Sequence, residues 1–273
     1  MYVTSKSSAS DLERPFVKMG ARVKFGAPEP RPWTRTVLPF ALDVREDRHG
    51  EYFLVSKRAD VRVEVLEAKP KERHLVLLAR VPGFRGDETK SRFLLGHDER
   101  HWFVAAIPEQ SPVSTVAAAK LALKPEEVAL REISVRARIR DRRINKARIR
   151  QGEWFFVPAK GVKVAPHRIL KNEPLRRGGG KPHACQELYR EGGETVYVNH
   201  DHPNGLTQAE YSRLSEKVRT RPGWSRMVRN PRAFVRGTVR HSDHKTIFLE
   251  GWHEVFVNTE SRAAAMQNVA FLD

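Results

Sequence analysis

The hydrophobic positions of this chain fall mostly into short runs with a period of two. Runs at 36–44, 51–56, 61–67, 73–81, 91–95 and 102–107 are rich in Val, Phe, Tyr and Leu. Val61-Arg62-Val63-Glu64-Val65 alternates strictly, as a strand with one buried face does. Turn residues separate the runs, as in Asp47-Arg48-His49-Gly50 and Pro82-Gly83-Phe84-Arg85-Gly86-Asp87. Strands at this spacing predict an antiparallel meander, a small barrel or sandwich filling residues 36–110. Residues 1–35 read as a polar N-terminal segment, in which Gly26-Ala27-Pro28-Glu29-Pro30-Arg31-Pro32 is too proline-rich for a helix.

The period changes after residue 110. A helical pattern covers 115–123 with Ser114 as its N-cap, and Pro125-Glu126-Glu127 opens a second helix. Two short helices in succession leave a helix-turn-helix open. Alternation then returns in Ile133-Ser134-Val135-Arg136-Ala137-Arg138-Ile139-Arg140. On a helix Val135 and Ile139 would fall among the arginines, whereas on a strand they share a face. Residues 141–146 read as a turn, and Ala147-Arg148-Ile149-Arg150 resumes the pattern. The expectation is a hairpin with Arg136, Arg138 and Arg140 on one strand and Arg148 and Arg150 on its partner. Same-face residues would stand about 6.6 Å apart. A helix over the arginines is the alternative, since arginine is a good helix former. Residues 111–164 thus form a helical pair and an arginine-rich hairpin. Residues 165–273 form a mixed module: a loop over 165–181, a helix over 182–190, a strand at 195–198, a helix from 207, and strands at 233–240, 246–249 and 253–257. The fold class is α+β, mainly antiparallel β with short helices.

Composition sharpens this picture. At 273 residues and 40% apolar content a real core is feasible, and 50 Lys+Arg against 33 Asp+Glu give a net charge of +17. The cations concentrate in 131–150 as Arg131, Arg136, Arg138, Arg140, Arg142, Arg143, Lys146, Arg148 and Arg150, against only Glu132 and Asp141. The guanidinium fork matches phosphate oxygens bidentately, and such a field gathers polyanions in a salt-sensitive way. A second patch, Arg176, Arg177 and Lys181, flanks Gly178-Gly179-Gly180, which reads first as a flexible linker, though its backbone N–H groups could cradle a phosphate. It lacks the P-loop pattern, which disfavours nucleotide hydrolysis. Nucleic acid, either DNA or RNA, is the expected partner, with other subunits of a nucleoprotein complex as a further possibility. Trp102, Trp154 and Trp224 could stack on bases, but core packing is their default. The single cysteine, Cys185, excludes a disulfide framework and a cysteine-rich zinc module. No apolar run reaches the roughly 18 residues of a membrane span and no apolar leader opens the chain, so a cytoplasmic protein without a membrane partner is expected.

The candidate chemistry lies among the histidines of the last third: His183, His200, His202, His241, His244 and His253. His183 and Glu187, four apart on the expected helix, share a face. His241-Ser242-Asp243-His244 sits in the turn between two expected strands. His183, Glu187, His241 and His244 form the candidate ligand set for a divalent metal such as zinc or manganese. His241, Asp243 and His244 are the candidate catalytic group, acting on a phosphodiester through metal-activated water or as general acid and base. His200-Asp201-His202-Pro203 is similar to the His-x-His-Pro element of JAB-type metalloproteases, but Arg213 stands where their ligand Asp belongs. Asp201-His202 with Asn204-Gly205 resembles an HNH nuclease opening, yet a helix follows where that fold needs a hairpin. Three functions follow: a basic nucleic-acid-binding protein, a metal-dependent nuclease or hydrolase, or a structural adaptor subunit of a ribonucleoprotein assembly.

Overall fold

The alternating N-terminal runs become two facing sheets in the computed structural model, which describes residues 9–30, 37–83, 86–177 and 181–262. Helix α1 (Ala9–Lys18) precedes β1 (Val23–Gly26), β2 (Phe40–Asp47) and β3 (Gly50–Lys57), which form a sheet in the order β1-β3-β2. A second sheet is a meander of β4 (Arg62–Lys69), β5 (His74–Pro82), β6 (Glu88–Asp98) and β7 (His101–Ile107). The expected strands are present, but they divide between two layers, so the unit is a sandwich and not a barrel. Its core interleaves Phe40, Leu42 and Phe53 with Leu75, Leu77, Phe93 and Leu95. The reading of 1–35 as a merely polar segment is corrected here. Leu12 and Phe16 of α1 and Met19 just after it make a buried stripe, and Phe16 meets Phe53 edge-on at 5.6 Å. Trp102 packs on Phe53 from the other side at 5.4 Å, as core rather than as a stacking platform.

The meander is buried on both faces. Its outer face, with Val76, Leu94 and Ala105, is covered by Val116 and Ala119 of α2 (Val116–Ala122). This explains why Leu75 to Ala79 is an unbroken apolar run. The N-cap of α2 is Thr115, not Ser114: its side chain accepts from the Ala118 N–H. Helix α3 (Glu126–Arg131) follows as expected, and then the arginine segment departs from expectation. Residues 137–140 form a single turn, α4 (Ala137–Arg140), in place of a strand. The supposed apolar face had no layer to bury it: Val135 is inside, but Ile133 is 72% exposed. The hairpin that exists joins β9 (Arg148–Gln151) to β10 (Trp154–Pro158), with the two-residue β8 (Ile144–Asn145) beside β9. Arg136, Arg138 and Arg140 are therefore not on a ribbon with Arg148 and Arg150.

The remaining strands are β11 (Leu170–Leu175), β12 (His183–Glu191), β13 (Glu194–Val198), β14 (Leu206–Thr207), β15 (Ser225–Arg229), β16 (Arg232–Arg240) and β17 (Ile247–Val257). An antiparallel seven-stranded sheet runs β11-β12-β16-β17-β10-β9-β8. The expected loop at 165–181 contains β11, an edge strand where Pro174 is tolerated. The expected helix at 182–190 is β12, and the two expected strands after 245 are one, β17. A small sheet, β14-β13-β15, carries α5 (Gln208–Arg213) and α6 (Glu216–Arg219), and Trp224 packs there on His202 and Tyr211. Mostly antiparallel β with few short helices is thus the architecture throughout.

Residues after β17 tie the halves together. Thr259 donates to the Ala122 carbonyl (2.6 Å) and Glu260 accepts from the Ala106 N–H (3.1 Å). Arg150 pairs with Asp98 at 2.8 Å across the same junction.

Candidate metal centre

The junction brings three histidines together. His183 enters at the first residue of β12, and His241 and His244 sit on the connection from β16 to β17. That connection is pinned at Lys245: Gln151 Nε2 donates to its carbonyl (2.8 Å), and its N–H donates to Glu99 (2.6 Å), in the β6–β7 turn. The rings stack with centroids 4.2 Å apart for His183–His241, 4.6 Å for His241–His244 and 5.7 Å for His183–His244. One ring nitrogen from each lies within 4.8 Å of the others, so the trio could hold a metal ion. Ligation of one tetrahedral ion would need nitrogens roughly 3.3 Å apart, so the rings would have to close by up to about 1.5 Å to hold it.

Burial makes the trio unusual. His183 is 1% exposed, and neither of its ring nitrogens has a hydrogen-bond partner; His244 Nδ1 is also buried without one. Each such atom costs about 1–3 kcal/mol when left unsatisfied. Burial first, and the neighbouring imidazoles second, push the His183 pKa down to about 3. His244 is lowered by burial and by His241. Neutral imidazole is the form that ligates a metal. Glu99 lies 3.8 Å from His244 Nδ1, beyond hydrogen-bond distance, and is itself held by Arg143 at 2.6 Å. His241 Nδ1 accepts from the Asp243 N–H at 3.1 Å. Gly152, at φ +58° in the β9–β10 turn, leaves this space open: a Cβ there would stand 2.7 Å from His244 Nε2.

Two expected members are elsewhere. Glu187 pairs with Lys171 and Arg236, and these ion pairs hold its pKa low. The strand's buried face changes between Cys185 and Leu188, which line the same core, and a register shift against β16 falls there. Four positions apart on one strand, Glu187 and His183 stand about 13 Å from each other, where a helix would have set them side by side. Asp243 neighbours the trio, but its carboxylate is held by Lys181 at 3.0 Å; burial opposes its charge, and Lys181 and Ser242 outweigh it, so its pKa is low.

The basic residues also divide. Arg148 is 2% exposed and bound to buried Glu132 (2.8 Å), which also takes the Lys124 ammonium. Arg143 pairs with Glu99 (2.6 Å), and Arg177 with Glu260 (3.3 Å). Arg140 donates to the Val135 carbonyl. These groups hold the fold, which corrects the expectation of a phosphate-facing array through Arg148. Arg136, Arg138, Arg142 and Arg176 are exposed and make no ion pair among the described residues. The proposed cradle at Gly178, Gly179 and Gly180 lies outside the described residues. Glu99, Gln151 and Gly152 were not anticipated; only Gly152, in a Gln-Gly-Glu turn between strands, carried a local signal.

Comparison with family models, curated proteins and solved structures finds no match for this chain. Among the described residues no helix is long and apolar enough to cross a membrane.

Proposed function

We propose that the protein is a metal-dependent hydrolase acting on the phosphodiester backbone of nucleic acid, with a divalent ion held by His183, His241 and His244. The observation that carries this reading is His183: a buried imidazole with both nitrogens unpartnered, against two further imidazoles. Three protein ligands leave a position for water, whose pKa a zinc-class ion lowers toward neutrality. The net charge of +17 and the uncommitted arginines favour a polyanionic substrate.

The test has two parts. Calorimetric titration with Zn²⁺ should give one site per chain, lost in His183→Ala and His244→Ala. Labelled single- and double-stranded DNA and RNA on a denaturing gel should be cut with metal and left intact by both variants. Metal bound tightly with every substrate intact would sink the hydrolase. That outcome supports a second reading, a nucleic-acid-binding protein with a structural metal, favoured by the contact of His183 with core Trp154 at 6.2 Å.

A further inference from the structure

On the seven-stranded sheet, Val157, Phe234 and Glu254 alternate with Phe156, Val235 and Val255, which line the core shared with Trp154 beside the histidines. On the face opposite that core a cleft of about 480 Å³ opens between the C-terminal end of β10, the start of β16 and the β8–β9 turn. Its walls carry Arg131, Lys146, Lys160 and Arg232 against one carboxylate, Glu254. Glu254 is tied back by Arg232, which donates to it at 2.8 Å and also to Glu191 at 3.0 Å. Arg131, Lys146 and Lys160 are exposed and make no ion pair among the described residues. Three uncompensated cations on one concave surface are an anion site in search of an anion.

The rest of the lining is not what a bare phosphate needs. Val157 and Val162 give it an apolar side, and the Arg232 guanidinium lies over the Phe234 ring at 4.9 Å. A planar cation on an aromatic ring is a platform on which nucleobases stack. The volume falls within the range of small-ligand sites, roughly 300–1,000 Å³, room for one nucleotide and not for a duplex. We propose that this cleft holds one nucleotide of a single-stranded nucleic acid. Its phosphate lies on Arg131, Lys146 and Lys160, and its base on the Arg232–Phe234 side. The assignment rests on the preceding reading only for the substrate class, and it adds the strand form.

The test is fluorescence anisotropy with short labelled oligothymidylate and oligouridylate, beside a duplex of the same length. Lys146→Glu/Lys160→Glu changes two exposed side chains, and Zn²⁺ titration and circular dichroism of the same variant report its fold. Single-strand affinity should fall at least about tenfold, and the slope of log K against log salt should flatten by roughly 1.4, two single-strand contacts' worth. Arg232→Lys keeps the charge and removes the planar face, so it should weaken binding with the slope unchanged. Unaltered affinity and slope in the double variant would overturn the proposal, and so would a duplex that binds equally well and loses as much. Cleavage that survives with the cleft variant at wild-type affinity removes the cleft and keeps the hydrolase. Cleft-dependent binding without cleavage does the reverse.

Discussion

Replacing Glu132 by glutamine tests whether the basic segment is organised from within. Glu132 is 1% exposed and accepts from Arg148 Nε (2.8 Å), Asn145 Nδ2 (2.7 Å) and the Lys124 ammonium. Lys124 and Arg148 are 7% and 2% exposed, so two buried cations share one buried carboxylate. Burial pulls the Arg148 pKa down, with Glu132 working against it. Among the described residues, Asp141, half exposed at 3.4 Å from Lys124, would be the one carboxylate left, with the Arg143 and Arg140 carbonyls, each at 3.1 Å, still accepting from Arg148. Glutamine keeps the shape but removes the charge and aims an NH₂ at a cation. Removing one partner of a buried pair costs about 3–5 kcal/mol, equivalent to a fall in Tm on the order of 10 °C for a chain of this size. Urea unfolding followed by tryptophan fluorescence, with calorimetry, measures it. Lys124→Met/Glu132→Gln should recover part of the loss, because it removes one of the stranded cations. A loss under about 1 kcal/mol in the single variant would refute the reasoning, since the cations would then be hydrated in solution.

Two further outcomes follow from local geometry. Gly152→Ala places a methyl 2.7 Å from His244 Nε2 at a positive φ, so Zn²⁺ affinity by calorimetry should fall at least about tenfold; unchanged affinity would remove Gly152 from the centre. His74 has its pKa lowered to about 4, by burial first and Lys120 second, with Arg150 adding to it and Glu72 opposing it. The unfolded chain protonates near 6.5, so this contribution is complete above that value and is lost as pH falls toward 4. Discounted for partial exposure, it amounts to about 1–2 kcal/mol. His74→Gln should flatten urea-unfolding stability between pH 6.5 and 4, and an identical slope would show that another group titrates.

The sandwich was legible because strands with one buried face alternate visibly, as Val61 to Val65 do. Where a surface had nothing to pack on, the same signal misled: the alternation at 133–140 describes a segment with one buried position, Val135. Strand β12 was misread for the opposite reason. Its buried face changes between Cys185 and Leu188, which gives them the three-residue spacing of a helix. His183 therefore entered the candidate set for a mistaken reason, paired with Glu187 on a helix that does not exist. The turn residues His241 and His244 were legible because a polar turn can converge without a core. Glu99 was not, because it reaches the site from the distant β6–β7 turn, and no local pattern records a contact of that separation.

The tie made by Thr259 and Glu260 has a consequence for the order of assembly. The last carbonyl of α2, at Ala122, and that of its C-cap Leu123 find their donors in Thr259, and the Ala106 N–H finds its acceptor in Glu260. A helix end without such partners frays, so the last turn of α2 depends on a residue 137 positions further along the chain. Contacts this far apart in sequence are also the slowest to form. Glu99 and the histidines meet across the same seam, so the geometry of the trio depends on the two halves having docked.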